Sequence, residues 1–227
     1  MSGDRRQESG VGVSPVIVAI DGPAGAGKST IARALAESLG WDYLDTGAMY
    51  RAVTSVALRR GIDPSDEASL GALSRSMSLV MDGISVTAEG LDVTADIRGE
   101  AVTATVSAVA SVSEVRAEMR RRQRSWGEER RGGVVEGRDI GTVVFPDAVA
   151  KIYLTASPRV RAQRRVRESG CDVDTIAAAI AARDLQDSTR ADSPLAESSD
   201  AVVLDTSDRT VDDVVAELVA LVRGRLS

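Results

Sequence analysis

A glycine-rich turn between an apolar run and a helical pattern constrains this chain more than any other feature. The run Val16 to Ile20 is continuous and rich in β-branched residues, which is typical of a buried parallel strand. It leads into Gly22-Pro23-Ala24-Gly25-Ala26-Gly27-Lys28-Ser29-Thr30, after which Ile31, Leu35 and Leu39 recur at helical spacing. This order of strand, loop and helix predicts a P-loop, in which backbone N–H groups and a helix N-terminus hold a phosphate.

Two side chains of this loop carry the expected chemistry. Lys28 reaches the β- and γ-phosphates of a bound nucleotide, and the hydroxyl of Ser29 is placed to ligate a Mg²⁺ ion that bridges the same oxygens. The sequence therefore predicts that residues 22–30 bind a nucleotide together with Mg²⁺.

The composition of the 227 residues excludes several classes of function. There is no histidine, which removes every mechanism that needs a histidine base, nucleophile partner or metal ligand. Phosphoryl transfer suits the remaining Lys, Arg, Asp, Glu and hydroxyl groups. The net charge of −6 argues against nucleic-acid binding, and the single cysteine, Cys171, excludes an internal disulfide. With no long apolar run, we expect a cytoplasmic monomer without a membrane span.

Alternation of strands and helices predicts an α/β fold. Five apolar runs of βα type predict a doubly wound parallel sheet with helices on both faces. They are Val16–Asp21, Trp41–Asp45, Gly133–Glu136, Val149–Thr155 and Ala201–Asp205. Between 79 and 94 the period changes to short alternating runs separated by Asp-Gly and Glu-Gly turns. These runs predict a small antiparallel sheet inserted into the chain.

Arginines near the carboxyl ends of the strands are candidates for binding a second phosphate. Ligands of such sheets bind at this edge, and the guanidinium fork matches phosphate oxygens. We single out Arg51, Arg138, Arg183 and Arg190. Each alone is more simply a surface ion pair, but together with a P-loop they favour phosphate binding. Spacing leaves Asp139 open as an ion-pair partner, a group near Mg²⁺ or an acceptor for an exocyclic amine.

Three runs, taken in order, resemble bacterial cytidylate kinases. They are Ile20 to Ser29, Leu44 to Arg51 and Glu136 to Ala148, and the resemblance extends from about Val16 to the end of the chain. It implies ATP-dependent phosphorylation of CMP and dCMP with Mg²⁺. It also implies a P-loop core over 15–65 and 132–227, a monophosphate-binding insertion over 66–131 and a helical lid over 157–175. The polar, glycine-containing stretch over 1–14 separately predicts a disordered tail.

The resemblance further implies roles for individual residues. The phosphate of CMP is held by Arg51, Arg138 and Arg190. The ribose is served by Thr46, Arg183 and Asp187. Cytosine is read by Ser107, Arg116 and Asp139. The groups expected to act on the transferred phosphoryl are Lys28, Arg138 and Arg183. The lid residues expected to meet ATP are one or two of Arg161, Arg164 and Arg165, with Arg161 and Arg164 preferred.

The chemistry of the base agrees with these roles. Asp139 would accept from the exocyclic amine of cytosine and Arg116 would donate to its ring acceptors, whereas UMP would present a carbonyl to Asp139. Two alternatives stay open: another P-loop kinase acting on UMP, AMP or an alcohol, and a nucleotide-dependent switch without transfer. RNA binding is disfavoured because the chain is acidic and only 3% aromatic.

Overall fold

A computed structural model describes residues 14–169 and 172–227 of the chain and has a parallel sheet at its centre. The strands of the described residues are β1 Val16–Asp21, β2 Tyr43–Asp45, β3 Leu79–Asp82, β4 Ser85–Ala88, β5 Leu91–Asp92, β6 Gly132–Glu136, β7 Ala150–Thr155 and β8 Val202–Asp205. The central sheet has the order β2-β6-β1-β7-β8, with every pair parallel. The predicted five-stranded, doubly wound sheet is therefore confirmed.

Helices cover both faces of this sheet. They are α1 Lys28–Leu39, α2 Thr46–Arg59, α3 Glu67–Ser76, α4 Glu100–Val109, α5 Ser113–Arg130, α6 Pro158–Ser169, α7 Val173–Thr189 and α8 Val211–Leu226. A 3₁₀ turn, Asp96–Arg98, precedes α4, and a π-helical turn, Ile140–Val144, follows β6. Within the described ranges, no helix has the length and apolarity needed to cross a bilayer.

Alternate residues of β1 supply two separate apolar clusters, because successive side chains of a strand point to opposite faces. Ile17 and Ala19 pack with residues of α2 to α5, whereas Val18 and Ile20 pack with residues of α1 and α8. The chain thus builds one apolar layer on each side of the sheet, and both layers meet at β1.

The predicted small antiparallel sheet is also confirmed, in the order β3-β4-β5. The turn between β4 and β5 has positive φ at both central residues, Glu89 at 53° and Gly90 at 75°, which is the pattern of a type I′ hairpin. Val86 and Ala88 of β4 pack into the cluster that contains Ile17. The inserted sheet is therefore anchored to the α2 side of the molecule.

Several arginines of the arginine-rich α5 bond to neighbouring segments, although a stretch so basic is usually a solvated face. Arg122 donates to the carbonyls of Ser74 at 2.9 Å and Met77 at 2.8 Å, and Arg124 donates to those of Val143 and Val144. These arginines complete the hydrogen bonding of neighbouring segments, a role that composition does not reveal. The predicted tail over 1–14, except Ser14, and Cys171 lie outside the described residues.

Candidate active site

The P-loop runs from the end of β1 into the first turn of α1. Gly22 has φ +145° and a Cβ there would overlap the carbonyl oxygen of Leu154 on β7, so the loop can leave the sheet only at a glycine. The Nζ of Lys28 donates to the carbonyl of Pro23 at 2.9 Å. Burial lowers the pKa of Lys28, and the charges of Arg138 and Arg183 lower it further. A bound anion would favour the charged form of Lys28 and so oppose both effects.

A buried carboxylate, Glu136, lies beside this loop at the end of β6. The hydroxyl of Tyr43 donates to its Oε1, and the hydroxyl of Thr46 donates to its backbone carbonyl at 2.6 Å. Burial, and then the charge of Asp45, raise the pKa of Glu136 to about 7, while Lys28 and hydrogen bonds from Tyr43 and Ser29 oppose the rise. The Ser29 hydroxyl and this carboxylate are oxygen donors of the kind that Mg²⁺ prefers.

The four arginines predicted for phosphate binding all reach the carboxyl edge of the sheet. Arg138 donates to Asp187 at 2.9 Å, and Arg51 donates to the carbonyl of Ile97 and the hydroxyl of Thr103. Burial, and then the charges of neighbouring arginines, lower the pKa of Arg51 and that of Arg183 to about 10. At neutral pH they stay charged, so the edge concentrates positive charge that favours a bound phosphate.

Arg190 lies between this group and the residues predicted to read the base. Its guanidinium is 3.6 Å from Oδ1 of Asp139 and 3.9 Å from Oδ1 of Asp187. Its Nη2 atom and the Nε of Arg183 are buried without a hydrogen-bond partner among the described residues. Buried donors of this kind are normally satisfied, so both are suited to donate a hydrogen bond to a ligand oxygen.

Arg116 and Asp139 form a buried pair. They are 0% and 5% exposed, and Nη2 of Arg116 donates to Oδ2 of Asp139 at 2.6 Å. The guanidinium also donates to the carbonyl of Ala110 and lies 5.4 Å from the ring centre of Tyr50. A donor fork and an acceptor therefore stand side by side, which is the complement that cytosine requires.

The position of Ser107, the third residue predicted to read the base, follows from its neighbours on α4. It is half-buried on α4, between Thr103, which contacts Arg51, and Ala110, which contacts Arg116. Because residues at this spacing share one face of a helix, Ser107 lies on the site side of α4.

Helix α6, which belongs to the predicted lid, packs on the P-loop. Arg161 donates to the carbonyl of Ala24 at 3.1 Å and to Asp184, whose other oxygen accepts from the Ala24 N–H at 3.2 Å. Arg164 donates to the carbonyl and hydroxyl of Thr206. The charge of Arg165, in contrast, acts on Arg51 and Arg183. Arg165 is therefore close enough to two of the predicted phosphate-binding arginines for its charge to act on them.

Sequence reasoning missed three carboxylates and a tyrosine. Asp21 accepts from two backbone N–H groups of the turn after β6, and burial raises its pKa to about 6. Glu136, Asp184 and Tyr43 contact the P-loop or its neighbours, as described above. The only available signal was their position: Asp21 and Glu136 end predicted strands, where side chains reach the ligand-binding edge.

Known proteins match almost the whole chain. The family model described as cytidylate kinase matches residues 18–224. Cytidylate kinase of Mycobacterium leprae is 48% identical over 218 residues, which cover 94% of this chain and 98% of that protein. Cytidylate kinase of Nocardia farcinica is 48% identical over 223 residues, which cover 94% of this chain and 96% of that protein.

Solved structures agree at the level of fold. TT1252 from Thermus thermophilus has a TM-score of 0.52 at 20% identity and covers 94% of this chain and 99% of its own. Identity this low supports the shared architecture only. The family match is independent of it and spans nearly all described residues, so the chain belongs to the cytidylate kinase family.

Proposed function

We propose that the protein transfers the γ-phosphoryl group of ATP to CMP and dCMP, giving CDP and dCDP. The observation that carries the proposal is the buried pair of Arg116 and Asp139. Its Nη2 and Oδ2 atoms are 2.6 Å apart, at the edge of the sheet where the P-loop begins. A P-loop alone supports nucleotide binding, whereas a second site with a base-reading pair supports transfer between two nucleotides. The family named by the relatives agrees with this activity.

The residues around the pair divide into three groups. The phosphate of CMP is held by Arg51, Arg138 and Arg190. The ribose is bound by Thr46, Arg183 and Asp187. The base is read by Ser107, Arg116 and Asp139. The contact of Arg138 with Asp187 and the short separation of Arg190 from Asp139 support one continuous site.

Charge neutralisation performs most of the chemistry. The attacking phosphate oxygen of CMP is already anionic near neutral pH, so the transfer needs no general base. Lys28, Arg138 and Arg183 stabilise the charge that moves between the two nucleotides. Closure of the lid over 157–175 and of the insertion over 66–131 toward the core excludes water that would otherwise accept the phosphoryl group.

The P-loop fits a Mg²⁺ ion that arrives with ATP. The described residues contain no group of three or more His, Cys, Asp or Glu side chains that could hold a metal, so Ser29 would supply the direct protein ligand, with Glu136 nearby. Phosphate oxygens and water would complete the shell. When bound, the ion neutralises charge on the β- and γ-phosphates.

We also propose that the protein acts as a monomer in the cytoplasm, on small molecules and not on nucleic acid. The net charge of −6 argues against nucleic-acid binding. Light scattering with and without nucleotides tests the oligomeric state.

A coupled ADP-release assay tests the proposed reaction. Mg-ATP is supplied with CMP, dCMP, UMP, AMP or no acceptor, and we expect rapid turnover with the two cytosine monophosphates alone. Equal rates with UMP or AMP would favour another nucleoside monophosphate kinase. If none of the monophosphates increased the rate of ADP release, a nucleotide-dependent switch would be favoured.

Two variants test the assigned roles. Arg138→Ala should raise the KM for CMP and lower kcat while ATP binding persists.

Asp139→Asn should narrow the preference for CMP over UMP, because an amide can donate to the uracil carbonyl. Asp200→Asn, which alters an exposed carboxylate that pairs with Lys151, is the matched control and should behave as wild type. An unchanged substrate profile in Asp139→Asn would remove Asp139 from the base site.

A further inference from the structure

Asp21 joins two parts of the molecule that bind different substrates. It is the last residue of β1 and directly precedes Gly22 of the P-loop. Its Oδ1 accepts from the N–H of Ile140 at 2.9 Å and its Oδ2 from the N–H of Gly141 at 2.8 Å. The side chain is 5% exposed, and both of its oxygens are bound to the backbone of the turn that follows Arg138 and Asp139.

A second attachment lies on the other side of the same two residues. Strand β6 pairs with β1 up to Glu136 opposite Ile20, and the N–H of Gly137 then donates to the carbonyl of Ile20 at 3.0 Å. The segment that contains Arg138 and Asp139 is therefore hydrogen-bonded to the end of β1 on both sides, through Gly137 before it and through the turn that begins at Ile140 after it. Neither attachment involves the side chains that we assign to CMP.

The backbone changes direction between the two attachments. Asp139 has φ −142° and ψ 23°, outside both strand and helix geometry, and the π-helical turn begins at Ile140. Two successive N–H groups at the start of that turn point into one carboxylate. The conformation that presents Arg138 and Asp139 thus depends on a side chain of the neighbouring strand.

We infer that Asp21 is a positioning residue that holds Arg138 and Asp139 at a set distance from the P-loop, and so aligns CMP with the γ-phosphate of ATP. The inference rests on the proposed function. Asp21 is covalently part of the ATP side through Gly22 and belongs to the CMP side through its hydrogen bonds. In-line transfer needs the reacting atoms held close and aligned, and small displacements reduce the rate strongly.

A carboxylate suits this task better than other side chains of its size. It offers an acceptor to each of two N–H groups, whereas asparagine offers one oxygen and turns an NH₂ group toward the other N–H. Asp21→Asn therefore keeps the volume and breaks one attachment.

Steady-state kinetics of Asp21→Asn at about pH 8 test the inference. We expect kcat to fall about tenfold to a hundredfold and the KM for CMP to rise, while the KM for ATP stays within about twofold. Leu218→Ala, a cavity variant on α8, is the control for lost stability and should leave both KM values unchanged. Wild-type kcat and CMP KM in folded Asp21→Asn, or equal loss for both substrates, would overturn the inference.

Hydrogen exchange on the wild-type protein tests the same attachment if the variant does not fold. We expect the amides of Ile140 and Gly141 to exchange slowly in the nucleotide-free protein, and exchange at open-chain rates would overturn the inference. The two proposals fail differently. If no monophosphate stimulates the wild-type enzyme, the proposed function fails; if CMP is phosphorylated but Asp21→Asn is unaffected, only the positioning role fails.

Discussion

Charged side chains are buried at the nucleotide site beyond what folding requires. A buried ion pair is often no more stabilising than apolar residues of the same volume, because both charges lose their hydration. Arg116 and Asp139 are nevertheless almost fully buried, and Asp21 is held by two amides although burial opposes its charge. We attribute the burial of charge at these positions to the groups that the charges bind or position, and not to a gain in stability.

Asp21 should make stability depend on pH. Its native pKa of about 6 lies above the ordinary 3.8, so the folded state binds this proton more tightly than the unfolded chain. Its contribution to stability is complete below about pH 4 and is lost as the pH rises through 6. We expect the free energy of unfolding of the wild type, relative to Asp21→Asn, to fall by up to about 3 kcal/mol over this range.

Urea unfolding of both proteins at about pH 4 and pH 7.5 measures this difference. The comparison with Asp21→Asn removes the contribution of Glu136, whose raised pKa acts in the same direction. Parallel pH profiles for the two proteins would contradict the assignment.

At the scale of elements, α5 connects three segments through arginines on one helix. Arg116 reaches Asp139, Arg120 reaches Asp192 and Ser193, and Arg124 reaches the π-helical turn. These three residues recur every four positions, so they form one stripe along the helix. The helix thereby supports the turn after β6 and the segment after α7, which border the proposed base site.

The variant Arg122→Ala tests whether the arginines of α5 stabilise the segments that they contact. It donates to the carbonyls of Ser74 and Met77 at the end of α3 and to Glu118. Arg122→Ala leaves these carbonyls without their charged donor, and we expect it to lower the free energy of unfolding by about 1.5–3 kcal/mol. CMP kinetics should not change. Arg121→Ala, which removes another Glu118 contact from a side chain 64% exposed, should destabilise the protein much less, because exposed ion pairs contribute little.

Thermal or urea unfolding of the two variants side by side checks this prediction. Equal destabilisation would mean that the α3 carbonyls find water when Arg122 is removed.

Across the whole molecule, each of the two apolar layers lies beneath one of the two proposed substrate sites. The layer on the side of α2 to α5 carries the inserted sheet and the proposed base-reading pair, and the layer on the side of α1 and α8 supports the P-loop. Strand β1 contributes to both. The proposed site lies where the two layers meet. A substitution in one layer, far from the carboxyl edge of the sheet, should therefore lower stability more than it changes activity.

Leu218 on α8 allows this separation to be measured. It is 0% exposed and belongs to the α1 and α8 layer, so Leu218→Ala should cost about 2–5 kcal/mol. Leu226→Ala, on the same helix but 48% exposed, should change stability by less than about 0.5 kcal/mol. Both variants should keep the wild-type KM for CMP below their unfolding transition. A raised CMP KM in Leu218→Ala would show that the layers are mechanically coupled.

Local pattern determined the P-loop, the five parallel strands, the inserted hairpins and the runs that place the chain in its family. Each depends on residues close together in sequence: apolar periodicity, glycines that allow positive φ, and turn pairs such as Glu89-Gly90. The assigned roles of the site residues remain predictions, although Arg116 and Asp139 do lie together, as their proposed task requires.

Tertiary structure alone decided which charges meet. Asp21 and Gly141 are 120 positions apart, and no periodicity relates them. The same holds for Tyr43 with Glu136, 93 positions apart, and for the stripe of α5 that faces inward. Hydrogen bonds between distant segments depend on strand order and helix packing, which emerge only when the whole chain has buried its apolar surface.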